Sequence, residues 1–383
     1  MRKYPVGLLF SSTGPYDVVG RSMLNGALLA LEEVNADPAS DVRLEPHVAD
    51  PGGRLAQYPL FCNGLIDSGA KHIVGCYTSS SRKELIPLVE KRDALLWYPS
   101  HYEGFESSSN VIYTGAVPNQ HIVPLIDHVL QQRNRRIFCV GSNYIWAWEN
   151  NRVLREILLP HGGSILAERY FPIGEHDFSQ VIDAILAARP DFVFNTLIGS
   201  SAYQFFSQFR SACQARGIDQ ARVMPLLSCS LSEPELAEIA SEARDGHISS
   251  NVYFSSIESP ENRCFTEAYR RRFPDGPAVS ADAEASYVAV HLLALALAEA
   301  GRDDIHAVGA AVSRQVLRAP QGEVRIDGRT MHAYLTPRVG RSRADGSFEI
   351  LREAASPVQP DPYLIRHTAS LEAVSVPRLR IVS

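Results

Sequence analysis

Hydroxyl-bearing and aromatic side chains collect in four short segments of this chain. Each lies just past a run that reads as a β-strand. Thr78-Ser79-Ser80-Ser81 follows His72–Tyr77 and opens a helical pattern, and Pro99-Ser100-His101-Tyr102 follows Leu95–Tyr98. Ser142-Asn143-Tyr144-Ile145-Trp146-Ala147-Trp148 follows Ile137–Gly141, and Ser230-Leu231-Ser232-Glu233 follows Met224–Cys229. In open parallel sheets, ligands gather at the carboxyl ends of the strands. Hydroxyls there donate and accept, and free backbone N–H groups at a helix start hold an oxygen atom. We take Tyr77, Ser79, Tyr98, Ser100, His101, Tyr144, Trp146 and Ser230 as the candidate ligand-binding residues. None is Asp, Glu, Lys or Arg. A buried charge without a partner is costly. The expected ligand is therefore small, neutral and polar, with a carbonyl acceptor and N–H donors.

Enzyme signatures are absent. The sequence holds no G-x-S-x-G, G-x-G-x-x-G, G-x-x-x-x-G-K-[ST] or H-E-x-x-H. His101-Tyr102-Glu103 matches H-x-E, but no P-C-x-x-C completes a zinc deaminase signature. Six cysteines are scattered without zinc-like spacing. Cys76, Cys139 and Cys229 fall in apolar runs, where a reduced thiol packs as a small hydrophobe. Ser79–Ser81 also reads as a helix cap, and Trp148 as a staple at a helix start. The expectation is a binding protein with no catalytic residue, metal or cofactor.

The elements that must position these residues alternate. After Val6–Phe10 comes a helical pattern over Met23–Asn35, and after His72–Tyr77 another over Arg82–Arg92. Beyond Pro118 the order resumes with strands at Ile137–Gly141, Ser164–Phe171, Phe192–Leu197 and Met224–Cys229. Helical patterns at Asn150–Leu159, Ser179–Ala188 and Ser201–Arg216 separate them. Val252–Phe254 reads as strand, then Pro260–Phe273, Ala281–Ala300 and Asp304–Val316 as helices, then short β pieces to Leu351. Such alternation builds parallel sheets covered by helices. At 383 residues the chain is long enough for two α/β lobes.

Several blocks, in order, resemble the amide- and urea-binding branch of the type I periplasmic-binding-protein (Leu/Ile/Val-binding-like) family. They are Gly75-Cys76-Tyr77-Thr78-Ser79, Arg82-Lys83, Trp97-Tyr98-Pro99, Tyr102-Glu103-Gly104-Phe105-Glu106 and Pro118-Asn119-Gln120. Gly141-Ser142-Asn143-Tyr144, Tyr253-Phe254-Ser255-Ser256-Ile257 and Ala319-Pro320-Gln321-Gly322 continue the match. The nearest look is to the branch's cytoplasmic amide sensors, negative regulators of amidase expression. The resemblance implies two lobes, each a parallel sheet flanked by helices, with the ligand in the cleft between them. It implies lobe 1 over 1–119 plus 256–327 and lobe 2 over 120–255 plus 328–383. Crossings are expected near 118–121, 251–257 and 326–334. It also implies an RNA-binding antiterminator protein as partner. Trp146 departs from the tyrosine of the amidase regulators and the phenylalanine of urea binders. Ser100 stands for a threonine and His101 for a proline, while Leu96-Trp97-Tyr98 is more like the urea-binding transport proteins.

The net charge of −6 lacks the basic footprint of a nucleic-acid binder, so RNA contact would fall to the partner. The run Val6–Phe10 is too short for a secretory signal, and no stretch reads as a membrane span. The expected location is the cytoplasm, or the periplasm if a signal peptide has been removed. The alternative role is the substrate-binding component of an ABC-type urea or amide transporter. An amide-processing enzyme is a third reading. A homo-oligomer is compatible with all three.

Overall fold

Leu95–Tyr98 is apolar without interruption, and every residue in it is buried. That pattern marks a central parallel strand covered on both faces. The computed structural model describes residues 2–132 and 135–366. Its strands are β1 (Arg2–Leu9), β2 (Val42–Ala49), β3 (His72–Gly75), β4 (Leu95–Tyr98) and β5 (Val111–Tyr113). Then come β6 (Arg136–Ser142), β7 (Ser164–Phe171), β8 (Phe192–Thr196), β9 (Leu226–Ser228) and β10 (Ile248–Asn251). The last five are β11 (Val316–Ala319), β12 (Gly322–Asp327), β13 (His332–Tyr334), β14 (Arg338–Ser342) and β15 (Phe348–Glu353).

They form two sheets. The first has the order β11-β12-β13-β5-β4-β3-β1-β2, and the second β15-β14-β10-β9-β8-β6-β7. β1 to β5 pair in parallel, as do β6 to β10. The later strands add antiparallel edges, through β11 with β12 and β14 with β10. The chain is thus two α/β lobes with parallel-rich sheets flanked by helices. β13 falls within the last expected crossing, near 326–334, in the stretch assigned to lobe 2, yet it pairs with β5 and β12 in the first sheet. The passage to the second sheet therefore follows Tyr334. Residues 367–383, expected in the second lobe, lie outside the described residues.

The structure adds elements that the sequence pattern hid. β2 buries only Val42 and Leu44 and carries an exposed Pro46, so it lacks a plain apolar run. β5 has only three residues. Val252–Phe254 is not a strand; the strand is the preceding Ile248–Asn251, where serines and an asparagine are fully enclosed. Helix Ala281–Ala300 is long and apolar enough to cross a membrane by composition, contrary to the sequence reading. It is 78% buried, however, and packs on helix Asp17–Ala36. There Gly26 lies so close that a Cβ would come within 2.2 Å of the Ala283 carbonyl oxygen. A core helix explains both its composition and its burial.

Candidate functional site

At the carboxyl end of the first sheet, Thr78 caps helix Ser79–Lys91 by accepting a bond from the Ser81 N–H at 3.2 Å. This sets Tyr77, Thr78 and Ser79 at the mouth of the cleft. At the facing end of the second sheet, Tyr144 is the extended residue that precedes helix Ile145–Leu158, and Trp146 lies in its first turn. Together with Ser100, His101 and Ile198 these residues line one small cavity. It leaves about 10 Å³ for the centre of a water-sized sphere, room for roughly one water.

Six of the eight expected residues meet there: Tyr77, Ser79, Ser100, His101, Tyr144 and Trp146. Tyr98 lies outside the lining. It is fully buried and its hydroxyl donates to the Tyr77 carbonyl at 2.7 Å, so it holds the wall from behind. Ser230 is also outside the lining. It is buried beyond β9, where its N–H donates to Ser228 Oγ at 3.1 Å. Thr78 and Ile198 were missed by the sequence reading, Thr78 because a cap accounts for it and Ile198 because a lone aliphatic carries no chemical signal. Trp148, half in solvent, gives its indole N–H to Asn143 at 3.2 Å and stays out of the cavity.

One aromatic contact joins the two lobes, and others brace it within each lobe. His101 meets Trp146 edge-on at 5.4 Å, Tyr144 stacks on Trp146 at 6.2 Å, and Tyr16 tilts against Tyr77 at 5.4 Å. Burial pushes the Tyr77 and Tyr144 phenols well above their usual value, so both remain hydroxyls. The Trp146 indole N–H is buried and has no hydrogen-bond partner among the described residues. Such a group costs free energy unless something accepts from it.

The lining holds no Asp, Glu, Lys or Arg, but a charged layer stands directly behind it. Ser79 Oγ donates to Glu103 Oε2 in a short contact. Glu103 in turn pairs with the fully buried Arg82 at 2.8 Å, and Arg82 also binds Glu106 at 2.7 Å. The Arg82 guanidinium lies 4.4 Å from the Tyr102 ring centre and 4.8 Å from that of Tyr98. On the other flank His101 Nδ1 lies 3.2 Å from Asp282 Oδ1. Glu235, in the second lobe, accepts from the Ser232 N–H at 2.9 Å, and burial raises its carboxyl to about 8.

The lobes are in contact in this structure. The Ser200 N–H of the second lobe donates to the Pro15 carbonyl of the first at 3.1 Å. Gly199 makes this possible. Its φ is +59°, and a Cβ there would come within 2.1 Å of the same Pro15 oxygen. Arg152 lies over the Phe105 ring at 4.6 Å further along the seam.

Two α/β lobes closing on a small cavity at the carboxyl ends of their strands define a cleft-type ligand-binding protein. The model of the periplasmic binding protein domain matches residues 4–369, and the chain belongs to that family, in its type I, Leu/Ile/Val-binding-like form. A Leu/Ile/Val-binding protein homolog 6 from Brucella abortus is 20% identical over 85% of this chain and 84% of its own length. A solute-binding protein of an R. palustris ABC transporter, solved with 4-hydroxybenzoate, superposes with a TM-score of 0.82 at 21% identity, covering 95% of this chain and all of that one. The Streptococcus pneumoniae branched-chain amino acid binding protein LivJ, solved with isoleucine, gives 0.79 at 18% identity over 94% of this chain and 100% of that one.

Proposed function

We propose that the cleft binds a small neutral amide-type molecule, a short-chain aliphatic amide or urea, on which the lobes close. The observation that carries this reading is the hydrogen-bond inventory of the uncharged lining. Trp146 offers an N–H that no group among the described residues accepts. Ser79 has spent its hydrogen on Glu103, so towards a ligand it offers only lone pairs. A primary amide supplies both complements, a carbonyl oxygen for the first and an N–H for the second. A carboxylate supplies acceptors alone and would set lone pairs against lone pairs at Ser79. The small cavity weighs against a bulky ligand. The benzoate and isoleucine of the structural neighbours both carry a carboxylate, so the reading departs from them at this point.

In this reading the protein is a cytoplasmic sensor and negative regulator of amidase expression. Ligand contacts from both lobes favour the closed form, and closure changes the surface shown to an RNA-binding antiterminator partner. The net charge of −6 suits a basic partner. A second role is favoured by the relatives, which are named as binding proteins and as solute-binding components of ABC transporters. There the protein would deliver urea or amides to a permease. Amide processing is disfavoured, because Cys76 is fully buried and burial pushes its thiol up to about 11.

Calorimetry with acetamide, butyramide, urea, 4-hydroxybenzoate and isoleucine tests the ligand. Heat from an amide or urea supports the reading. Heat from the carboxylates alone overturns it. Fractionation of the native cells, with capture of either an antiterminator or a permease, separates the two roles.

A further inference from the structure

Asp282 reaches the cleft from the first turn of helix Ala281–Ala300, 181 residues away in sequence from the histidine it contacts. It is buried, and so is His101. Its oxygen lies 3.2 Å from His101 Nδ1. A carboxylate accepts and cannot donate, so the hydrogen of this bond sits on Nδ1. In the neutral imidazole the other ring nitrogen, Nε2, then carries a lone pair, and it has no hydrogen-bond partner among the described residues. The remaining groups around the imidazole give it no second donor. Tyr77 and Trp146 meet it through their rings, at 6.5 and 5.4 Å. His121 lies 6.0 Å away and has spent its own Nε2 on the Tyr102 carbonyl at 2.9 Å.

We infer that Asp282 is a specificity-determining positioning residue. It holds His101 in the Nδ1–H tautomer, so that Nε2 presents a lone pair to the cleft as a second acceptor beside Ser79. The inference rests on the amide reading of the same cavity and deepens it. With two acceptors and one unspent donor, the lining matches a primary amide, whose NH2 group has two hydrogens and whose carbonyl has lone pairs. A ligand of the same shape without N–H leaves both acceptors unpaired. Sites built to bond an N–H or O–H reject analogues that lack it far more strongly than they reject a changed alkyl group.

Two measurements on the full chain test this, with thermal melts to confirm that Asp282→Ala folds. Nitrogen NMR of the imidazoles, assigned through a His101→Asn variant, reads the tautomer without any ligand. The expected result is Nδ1–H in the wild type and a tautomer mixture in Asp282→Ala. An Nε2–H tautomer or a doubly protonated ring in the wild type overturns the inference. Competition binding of acetamide against acetone, which replaces NH2 by CH3, reads the consequence. The wild type should prefer acetamide by about tenfold or more, and Asp282→Ala should lose most of that preference. An undiminished preference in Asp282→Ala overturns the role of Asp282. If the wild type binds neither compound while the spectrum shows Nδ1–H, the amide reading fails and the tautomer lock stands.

Discussion

At the scale of the residue, Trp146 decides most. Its indole N–H is enclosed and unpaired, so the folded protein carries a cost that a carbonyl ligand would relieve. Trp146→Phe should lower amide affinity by about five- to tenfold, with no loss in unfolding free energy, as read by calorimetry and denaturation. Trp146→Tyr should move the preference from acetamide towards butyramide, because it opens space and keeps a polar tip. Equal affinities across the amide series would remove Trp146 from the pocket. Glu103 is the second telling residue. Breaking a buried ion pair costs roughly 3–5 kcal/mol. Arg82 keeps Glu106 as a partner, so Glu103→Gln should cost about 2 kcal/mol in chemical denaturation. Most of the cavity lining was legible in the sequence, because hydroxyls and rings just past apolar strands are a strong signal. Arg82 and Glu103 stood out in the sequence only as members of family-like blocks, with no partner assigned, and Asp282 did not stand out at all. Nothing local marks a charge whose partner is brought from another element, and Asp282 joins His101 only through the fold.

At the scale of the element, the N-terminus of helix Ser200–Gln214 meets the loop at Pro15 with no space to spare. Gly199→Ala places a Cβ against the Pro15 oxygen and also strains a left-handed backbone. The clash exists only where the lobes touch. The variant should therefore bind ligand at least about tenfold more weakly, while its thermal stability falls by about 1 kcal/mol. Small-angle scattering should show a larger radius of gyration than wild type. An unchanged radius and affinity would mean that this contact does not govern closure. The parallel order of both sheets was readable because β3, β4, β6 and β8 are buried throughout or nearly so. β2 and β5 were not, since a half-exposed edge strand and a three-residue strand leave little pattern. The polar strand Ile248–Asn251 is likewise set by its neighbours and not by its own composition.

At the scale of the molecule, buried ionisable groups set a stability optimum. Burial lowers His121 to about 3 and His72, His247 and His332 to about 4. Below an ordinary histidine value the unfolded chain binds protons that the folded one refuses, so stability falls as pH drops below about 6.5. Burial raises Glu233 and Glu284 to about 7 and Glu235 to about 8. Between about 4.5 and 8 the folded chain holds protons there that the unfolded one has released, so these groups lose stability as pH rises. The two trends oppose each other below 6.5, and only the second acts above it. Thermal melts should peak near pH 6–7 and lose several degrees by pH 8.5. A melting temperature that keeps rising to pH 8.5 would contradict the protonated burial of these three carboxyls.

The small cavity between the touching lobes has a kinetic consequence. With space for about one water, and with the Pro15–Ser200 bond and the His101–Trp146 contact joining the lobes, an amide should not pass in or out while they touch. Entry and exit must wait on the same opening event. In stopped-flow mixing, the observed relaxation rate should depart from linearity and level off at high ligand concentration, at a ceiling set by the protein alone. That ceiling should be shared by acetamide, butyramide and urea, however far their affinities differ. The molecule would then act as a clock as well as a receptor: its response time would belong to the hinge, and only the depth of its response to the ligand.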